Sequence, residues 1–227
     1  MKGKLYGIGI GPGDPELLTL KAVRLIREAD VIAVPGKVKT ETVAYQITVQ
    51  AVPEIADKEC VEVYYPMSKD PEILEKCHTE AAEKLERYLA EGKTVAFLTL
   101  GDTTVYSTYI YVHTKLLEKG YEAEIINGIT SFCAVAARLN IGLVEKAEEL
   151  HIIPASYQIE EALKLPGTKV LMKAASTMGE VKKMLKECGQ DVVMIENCGM
   201  PGEKIHRSAD EIPEDASYYS LIIVKEK

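Results

Sequence analysis

The groups best suited to chemistry in this chain belong to the backbone. The stretch GIGIGPGDP, Gly7 to Pro15, follows a short apolar run and precedes a capped helix pattern. Glycines at this density, with Pro12 among them, impose a tight turn open to close approach, where main-chain N–H groups can hold a ligand. The dinucleotide fingerprint G-x-G-x-x-G fails, because after Gly9 and Gly11 its third glycine would fall at Asp14. Its acidic ribose partner is missing too, since the second strand ends Ala33, Val34, Pro35, Gly36. That absence also weakens a Rossmann-type methyltransferase. A phosphate loop ending in Gly92, Lys93 and Thr94 would need glycine at position 87, where Arg87 stands. A strand-to-helix turn that takes no ligand is the alternative reading.

Side-chain constellations carry less. His78, His113, His151 and His206 lie far apart, with no partner at i+3 or i+4 of metal-ligand type, so no protein-bound metal is expected. Neither G-x-S-x-G nor H-E-x-x-H occurs. Ser131 and Cys133 sit at a helix start rich in small residues and have no identifiable base, which argues against nucleophilic catalysis.

The elements that must position the glycine loop alternate in type. Leu5 to Ile10 reads as a strand, Pro15 to Glu28 as a helix with Asp14 as N-cap, and Val31 to Val34 as the next strand. A long helix is expected from Pro71 to about Glu91, ended by Gly92, with Leu74, Cys77, Ala81, Leu85 and Tyr88 on one face. Thr94 to Leu100 is apolar almost without alternation, as a central parallel strand covered on both faces should be. A third helix is expected to carry Val105, Tyr109, Val112 and Leu116 on one stripe and to stop at Gly120, before a strand from Glu122 to Ile126.

The chain restarts with the helix in TSFCAVAARL. Strands are then expected at His151 to Pro154, Lys169 to Lys173 and Val192 to Glu196, with a helix from Gly179 to Cys188. His206 to Ile212 and Ser217 to Val224 have no long helix between them, which predicts antiparallel pairing. The pattern predicts two α/β domains, residues 1–126 with a mainly parallel sheet and residues 127–227 with a mixed sheet.

Composition bounds the partners. The 227 residues carry a net charge of −8, so nucleic acid and anionic membranes are disfavoured and any anionic ligand must meet a local basic cluster. No apolar run approaches the ~20 residues needed to cross a bilayer, and no leader pattern opens the chain, which predicts a soluble, unprocessed protein. Five cysteines without a CxxC read as reduced thiols in a cytoplasmic protein. With no Trp and two Phe, the aromatic content rests on twelve Tyr.

Taken in order, the segments GIGPGDPELLTLKA, TLGDTTVYST, GITSFCAVAARL, VLMK and ENCGMPGEKI resemble the tetrapyrrole methylase family over nearly the whole chain. The GD followed by YSTY, the SFCAVAARL helix and ENCGMPGEKI look like the branch that methylates carbon 20 of precorrin-2 or cobalt-factor II. Thr103 stands where that family usually has proline after the aspartate.

The resemblance implies a class III methyltransferase fold, a homodimer, an anionic tetrapyrrole substrate, and S-adenosylmethionine in a cleft between the two domains. Carried over residue by residue, it assigns the cofactor to Pro12, Leu100, Gly101, Asp102, Val105, Thr130, Ser131 and Met172, with further contacts from Asn197 and Ser220. It also makes Asp102 the candidate for the reaction zone, as base or as cofactor ligand, against a plain turn residue. Tyr106 and Tyr109 become candidates for the macrocycle, and Lys37, Lys39, Arg138, Lys173 and Arg207 for its carboxylates. Two readings compete: a sibling enzyme that methylates another ring carbon, an RNA ribose or a protein side chain, and a nucleotide-binding module without turnover.

Overall fold

The computed structural model describes residues 2–66, 68, 70–155 and 159–226. Two compact units emerge, residues 1–130 and 131–227.

The first unit is built on five parallel strands: β1 (Lys4–Gly9), β2 (Val31–Pro35), β3 (Glu59–Val63), β4 (Val95–Thr99) and β5 (Glu122–Ile126). Their order is β3-β2-β4-β1-β5, and every pairing in this sheet is parallel. Crossover helices α1 (Leu20–Glu28), α2 (Val43–Ala51), α3 (Pro71–Ala90) and α4 (Tyr109–Glu118) connect them. Central β4 is buried at every position, which explains its unbroken apolar run. One core gathers Leu5, Val95 and Phe97 of the sheet with Ala81, Leu85 and Leu89 of α3 and Tyr109, Val112 and Leu116 of α4.

Two expectations change here, and one pair of elements is added. The single helix from Pro15 divides, because two capping side chains compete for it. Asp14 caps a short 3₁₀ turn, Pro15–Leu17, by accepting the Glu16 N–H at 2.9 Å. Leu18 is then extended, and Thr19 starts α1 by accepting from the Ala22 N–H at 3.1 Å. Val105 lies outside α4: the Asp102 side chain captures the Thr104 N–H, and Ser107 Oγ accepts from Tyr109 N, so the helix begins four residues later. The pair α2 and β3 had no marked motif. Thr42 caps α2, and β3, an edge strand, alternates exposed or half-buried positions with buried ones.

The second unit opens with α5 (Ser131–Leu139) and carries β6 (Leu150–Pro154), α6 (Ile159–Leu163), β7 (Thr168–Met172), α7 (Met178–Glu187), β8 (Asp191–Glu196), β9 (Lys204–His206) and β10 (Ser220–Lys225). Strand order is β6-β7-β10-β8-β9. β6 and β7 pair in parallel, whereas β10 runs antiparallel to β7 and β8, and β9 antiparallel to β8. The sheet is therefore mixed, as the pattern predicts. The strand expected at His206 to Ile212 is cut short, since Arg207 N donates to the Glu211 carboxylate at 2.7 Å and turns the chain away. Leu171, Met194, Ile222 and Val224 pack under Met178, Val181 and Leu185 of α7.

Candidate functional site

All strands of the first sheet end on the same side, where an open α/β sheet places its ligand-binding loops. Three of those loops meet through glycine. The turn after β1 and the turn after β4 are joined by a two-way backbone pair: Gly101 N donates to Gly11 O at 2.8 Å, and Gly11 N donates to Gly101 O at 3.2 Å. A Cβ on Gly128, after β5, would stand 2.2 Å from Gly101 O, and one on Gly9 would stand 2.5 Å from Gly128 N. The glycines at 9 and 128 are thus required by backbone-to-backbone contact. Gly101 differs: its φ is +74°, and a Cβ there would meet nothing within 4 Å. Its open side is a place where a ligand can lie against the main chain.

Asp102 is only 5% exposed and sits at the centre of this junction. One carboxylate oxygen accepts from the Thr104 N–H at 2.8 Å and from the Thr104 hydroxyl. The other accepts from Gly128 N at 2.9 Å and from the Asn127 amide at 3.3 Å. Burial pushes the carboxyl up, but these hydrogen bonds outweigh it and hold Asp102 below the ordinary carboxylate value. A carboxylate with four donors and a lowered pKa is a good anchor and a weak base. Thr103, fully buried, places its hydroxyl 3.1 Å from Ile126 O and 3.4 Å from Gly7 O. That hydroxyl ties the turn to β5 and β1, a bond that proline could not make.

Around this junction the structure gathers Pro12, Leu100, Gly101, Asp102 and Val105. Pro12 is buried inside the glycine turn, and Leu100 and Val105 are half-buried. Thr130 closes the first unit, and Ser131, at the start of α5, opens the second; both are half-buried. Tyr109 belongs to the core: its ring lies against Gly7, where a Cβ would come within 2.1 Å of it. Tyr106 is exposed, with φ +50°.

Met172, Asn197 and Ser220 come together at one end of the second sheet. β10 pairs Leu221 with Met172 and Ser220 with Glu196, and Asn197 N donates to Tyr219 O at 2.9 Å. The Asn197 side chain is engaged in its own loop, accepting from the Ser217 hydroxyl at 2.9 Å and donating to Gly202 O at 3.3 Å. Ser220 is buried, and its hydroxyl has no partner among the described residues. Beside it stands Glu196, which sequence reading did not single out. It is 5% exposed and accepts from Ser217 N at 2.6 Å and faces His206 Nε2 at 2.8 Å.

The basic candidates are dispersed. Lys37 lies over the Tyr64 ring, 4.4 Å from its centroid, and Lys39 donates to Ala56 O at 3.4 Å. Arg138 pairs with Glu203 at 2.7 Å, while Lys173 and Arg207 are exposed. Among the described residues no group of three His, Cys, Asp or Glu could hold a metal ion, and no helix is long and apolar enough to cross a membrane.

Comparison with known proteins agrees with this architecture. Residues 4–212 match the model for Tetrapyrrole (Corrin/Porphyrin) Methylases. The chain is 38% identical to a probable cobalt-precorrin-2 C(20)-methyltransferase of Methanocaldococcus jannaschii, over 98% of this chain and 96% of that one. It is 31% identical to the cobalt-precorrin-2 C(20)-methyltransferase of Salmonella typhimurium, over 100% of this chain and 98% of that one. In fold it is similar to a cobalt precorrin-4 methyltransferase at TM-score 0.77 and 22% identity, covering 98% of this chain and 94% of the other. It is also similar to a uroporphyrin-III C-methyltransferase of Thermus thermophilus solved with S-adenyl homocysteine, at TM-score 0.73 and 24% identity, covering 99% and 98%.

Proposed function

The chain belongs to the tetrapyrrole methylase family, and from that premise we propose that it transfers a methyl group from S-adenosylmethionine to carbon 20 of precorrin-2 in its cobalt-bearing form, a step of cobalamin biosynthesis. The observation that carries this reading is the near-full-length likeness to two cobalt-precorrin-2 C(20)-methyltransferases. The site residues fit the cofactor: an open main-chain face at Gly101, and a buried Ser220 hydroxyl without a partner among the described residues.

S-adenosylmethionine, when bound, supplies a methyl group already activated on a sulfonium. The protein's contribution is then positioning and exclusion of water. Pro12, Leu100, Gly101 and Val105 form the first unit's contact surface, with Thr130 and Ser131 at the start of α5 and Met172, Asn197 and Ser220 on the second sheet. Asp102 acts in this scheme by fixing the Gly101 turn to Gly128, so that the main chain offered to the cofactor is rigid before it binds. The proton that leaves carbon 20 after attack is not assigned to Asp102, because both of its oxygens are engaged and its pKa is lowered. Of the basic candidates Arg138 is engaged by Glu203, and Lys37, Lys39, Lys173 and Arg207 are the groups assigned in this proposal to the substrate's carboxylates. A cytoplasmic homodimer completes the proposal, and sedimentation reads the oligomeric state.

Incubation with S-adenosylmethionine and cobalt-factor II or precorrin-2 tests the reading. It predicts a tetrapyrrole one methyl heavier and an equal amount of S-adenosylhomocysteine. Cofactor binding with no methylated product would instead make the chain a binding module.

A further inference from the structure

Five threonines are buried among the described residues: Thr42, Thr48, Thr99, Thr103 and Thr168. Four of them spend their hydroxyls inside the protein. Thr42 donates to Lys39 O at 2.9 Å, Thr48 to Ala44 O at 2.7 Å, Thr168 to the Glu148 carboxylate at 2.6 Å, and Thr103 lies 3.1 Å from Ile126 O. Thr99 alone has a shielded hydroxyl with no hydrogen-bond partner among the described residues, although its side chain is more than nine-tenths buried.

Its place in the fold makes the exception informative. Thr99 ends β4, paired with Gly9 of β1, and stands two residues before Gly101. Side chains alternate along a strand, so Thr99 shares its face with Val95 and Phe97, both part of the core beneath α3 and α4. Packing alone would be served better by valine, which has the same shape and no polar atom to desolvate. The neighbouring carbonyls are already committed: Thr99 O accepts from Ile10 N at 2.9 Å, and Gly101 O from Gly11 N. A hydroxyl that costs stability in the unliganded fold, next to the open main-chain face of Gly101, points to a partner that arrives with the ligand.

We propose that Thr99 is a further ligand-binding residue, its hydroxyl making a hydrogen bond with a polar group of the bound S-adenosyl cofactor. The inference rests on the methyl-transfer reading and adds to it a residue, at the head of the TLGDTTVYST segment, to which the resemblance assigned no role. It makes Thr99 unlike Asp102 or Thr103. Those two are satisfied without ligand and build the turn; Thr99 is satisfied only with it.

The experiment compares wild type, Thr99→Val and Thr99→Ser in two measurements: thermal melting of the unliganded protein, and calorimetric titration with S-adenosylhomocysteine. The expected result is that Thr99→Val melts at or above the wild-type temperature while its affinity for S-adenosylhomocysteine falls about tenfold or more, as loss of one buried hydrogen bond requires. Thr99→Ser keeps the affinity within about threefold. Unchanged affinity in Thr99→Val overturns the proposal, since the hydroxyl then does nothing for the ligand. A clear fall in the melting temperature of unliganded Thr99→Val, or failure to fold, also overturns it, because the hydroxyl would then have a structural partner. If wild type itself does not bind S-adenosylhomocysteine, the methyl-transfer reading fails first and this inference falls with it. Binding by wild type with equal binding by Thr99→Val sinks the inference alone.

Discussion

Two buried carboxylates, one in each unit, stand at the ends of strands and are equally hidden, yet they are held in different ways. Asp102 and Glu196 are each 5% exposed. Asp102 takes donors on both oxygens from groups that never titrate: backbone N–H groups, a hydroxyl and an amide. Glu196 takes one backbone donor, Ser217 N, and accepts on its other oxygen from His206 Nε2. Both carboxyls lie below their ordinary values, because in each case hydrogen bonds overcome the upward push of burial. The contrast teaches that the first hub is inflexible and the second can adapt. Asp102 ties loops whose glycines already touch backbone to backbone, while Glu196 braces a turn through one backbone N–H and one imidazole side chain.

Breaking the first hub at its glycine gives the largest effect. Gly128→Ala forces a Cβ to within 2.2 Å of Gly101 O, where no side chain can swing away. A loss of about 3 kcal/mol in unfolding free energy is expected, measurable by denaturant titration.

Asp102→Asn comes next. Asparagine keeps an oxygen for Thr104, but its amide would face the Gly128 N–H, so at least one buried donor loses its acceptor. About 2 kcal/mol should be lost. The substitution is thus no neutral control for the turn, although local turn chemistry by itself suggests that it should be. Its kinetic signature sharpens the account: weaker S-adenosylhomocysteine binding with kcat nearly unchanged fits an anchor, and a fall of ~10² or more in kcat at unchanged affinity would restore Asp102 as a base.

Gly101→Ala is expected to cost about 1 kcal/mol, from the left-handed φ of +74° and not from crowding. Affinity for S-adenosylhomocysteine should fall more than stability does, because the new methyl group occupies the open side.

Glu196→Gln should do least, under about 1 kcal/mol. Glutamine can turn its oxygen to Ser217 N and its amide to His206 Nε2, which accepts in one tautomer. Acid titration separates the hubs further. For a lowered carboxyl, the stabilisation is complete above the ordinary value of 3.8 for Asp or 4.5 for Glu and is lost as pH falls through the folded value. Asp102→Asn should therefore flatten the acid limb of the stability profile, with Glu196→Gln removing a separate part of it.

Much of this was legible from residue order. The buried central strand, the long α3 with its Gly92 stop and the mixed second sheet follow from periodicity and caps that act within a few residues. The expected helix stripe through Val105 misled, because Asp102 and Ser107 take N–H groups that a helix would need, and periodicity records apolar spacing alone. The division of the first helix arose from two caps five residues apart, Asp14 and Thr19, each able to start it. At the site, the motifs pointed to Gly101 and Asp102 but not to what they touch. That Gly9, Gly101 and Gly128 meet across three loops is a fact of sheet order, since β1 lies between β4 and β5. Thr99 looked like one more member of an apolar strand. Only the lack of a partner sets it apart.

The central claim, methylation at carbon 20, is tested most directly by where the methyl group lands. The protein is incubated with S-adenosylmethionine carrying an isotope-labelled methyl and with cobalt-factor II, and the product's labelled signal is assigned by NMR. The account predicts a single labelled methyl, bonded to carbon 20. A label on any other ring carbon, or a tetrapyrrole recovered without label while S-adenosylhomocysteine binds normally, would contradict it.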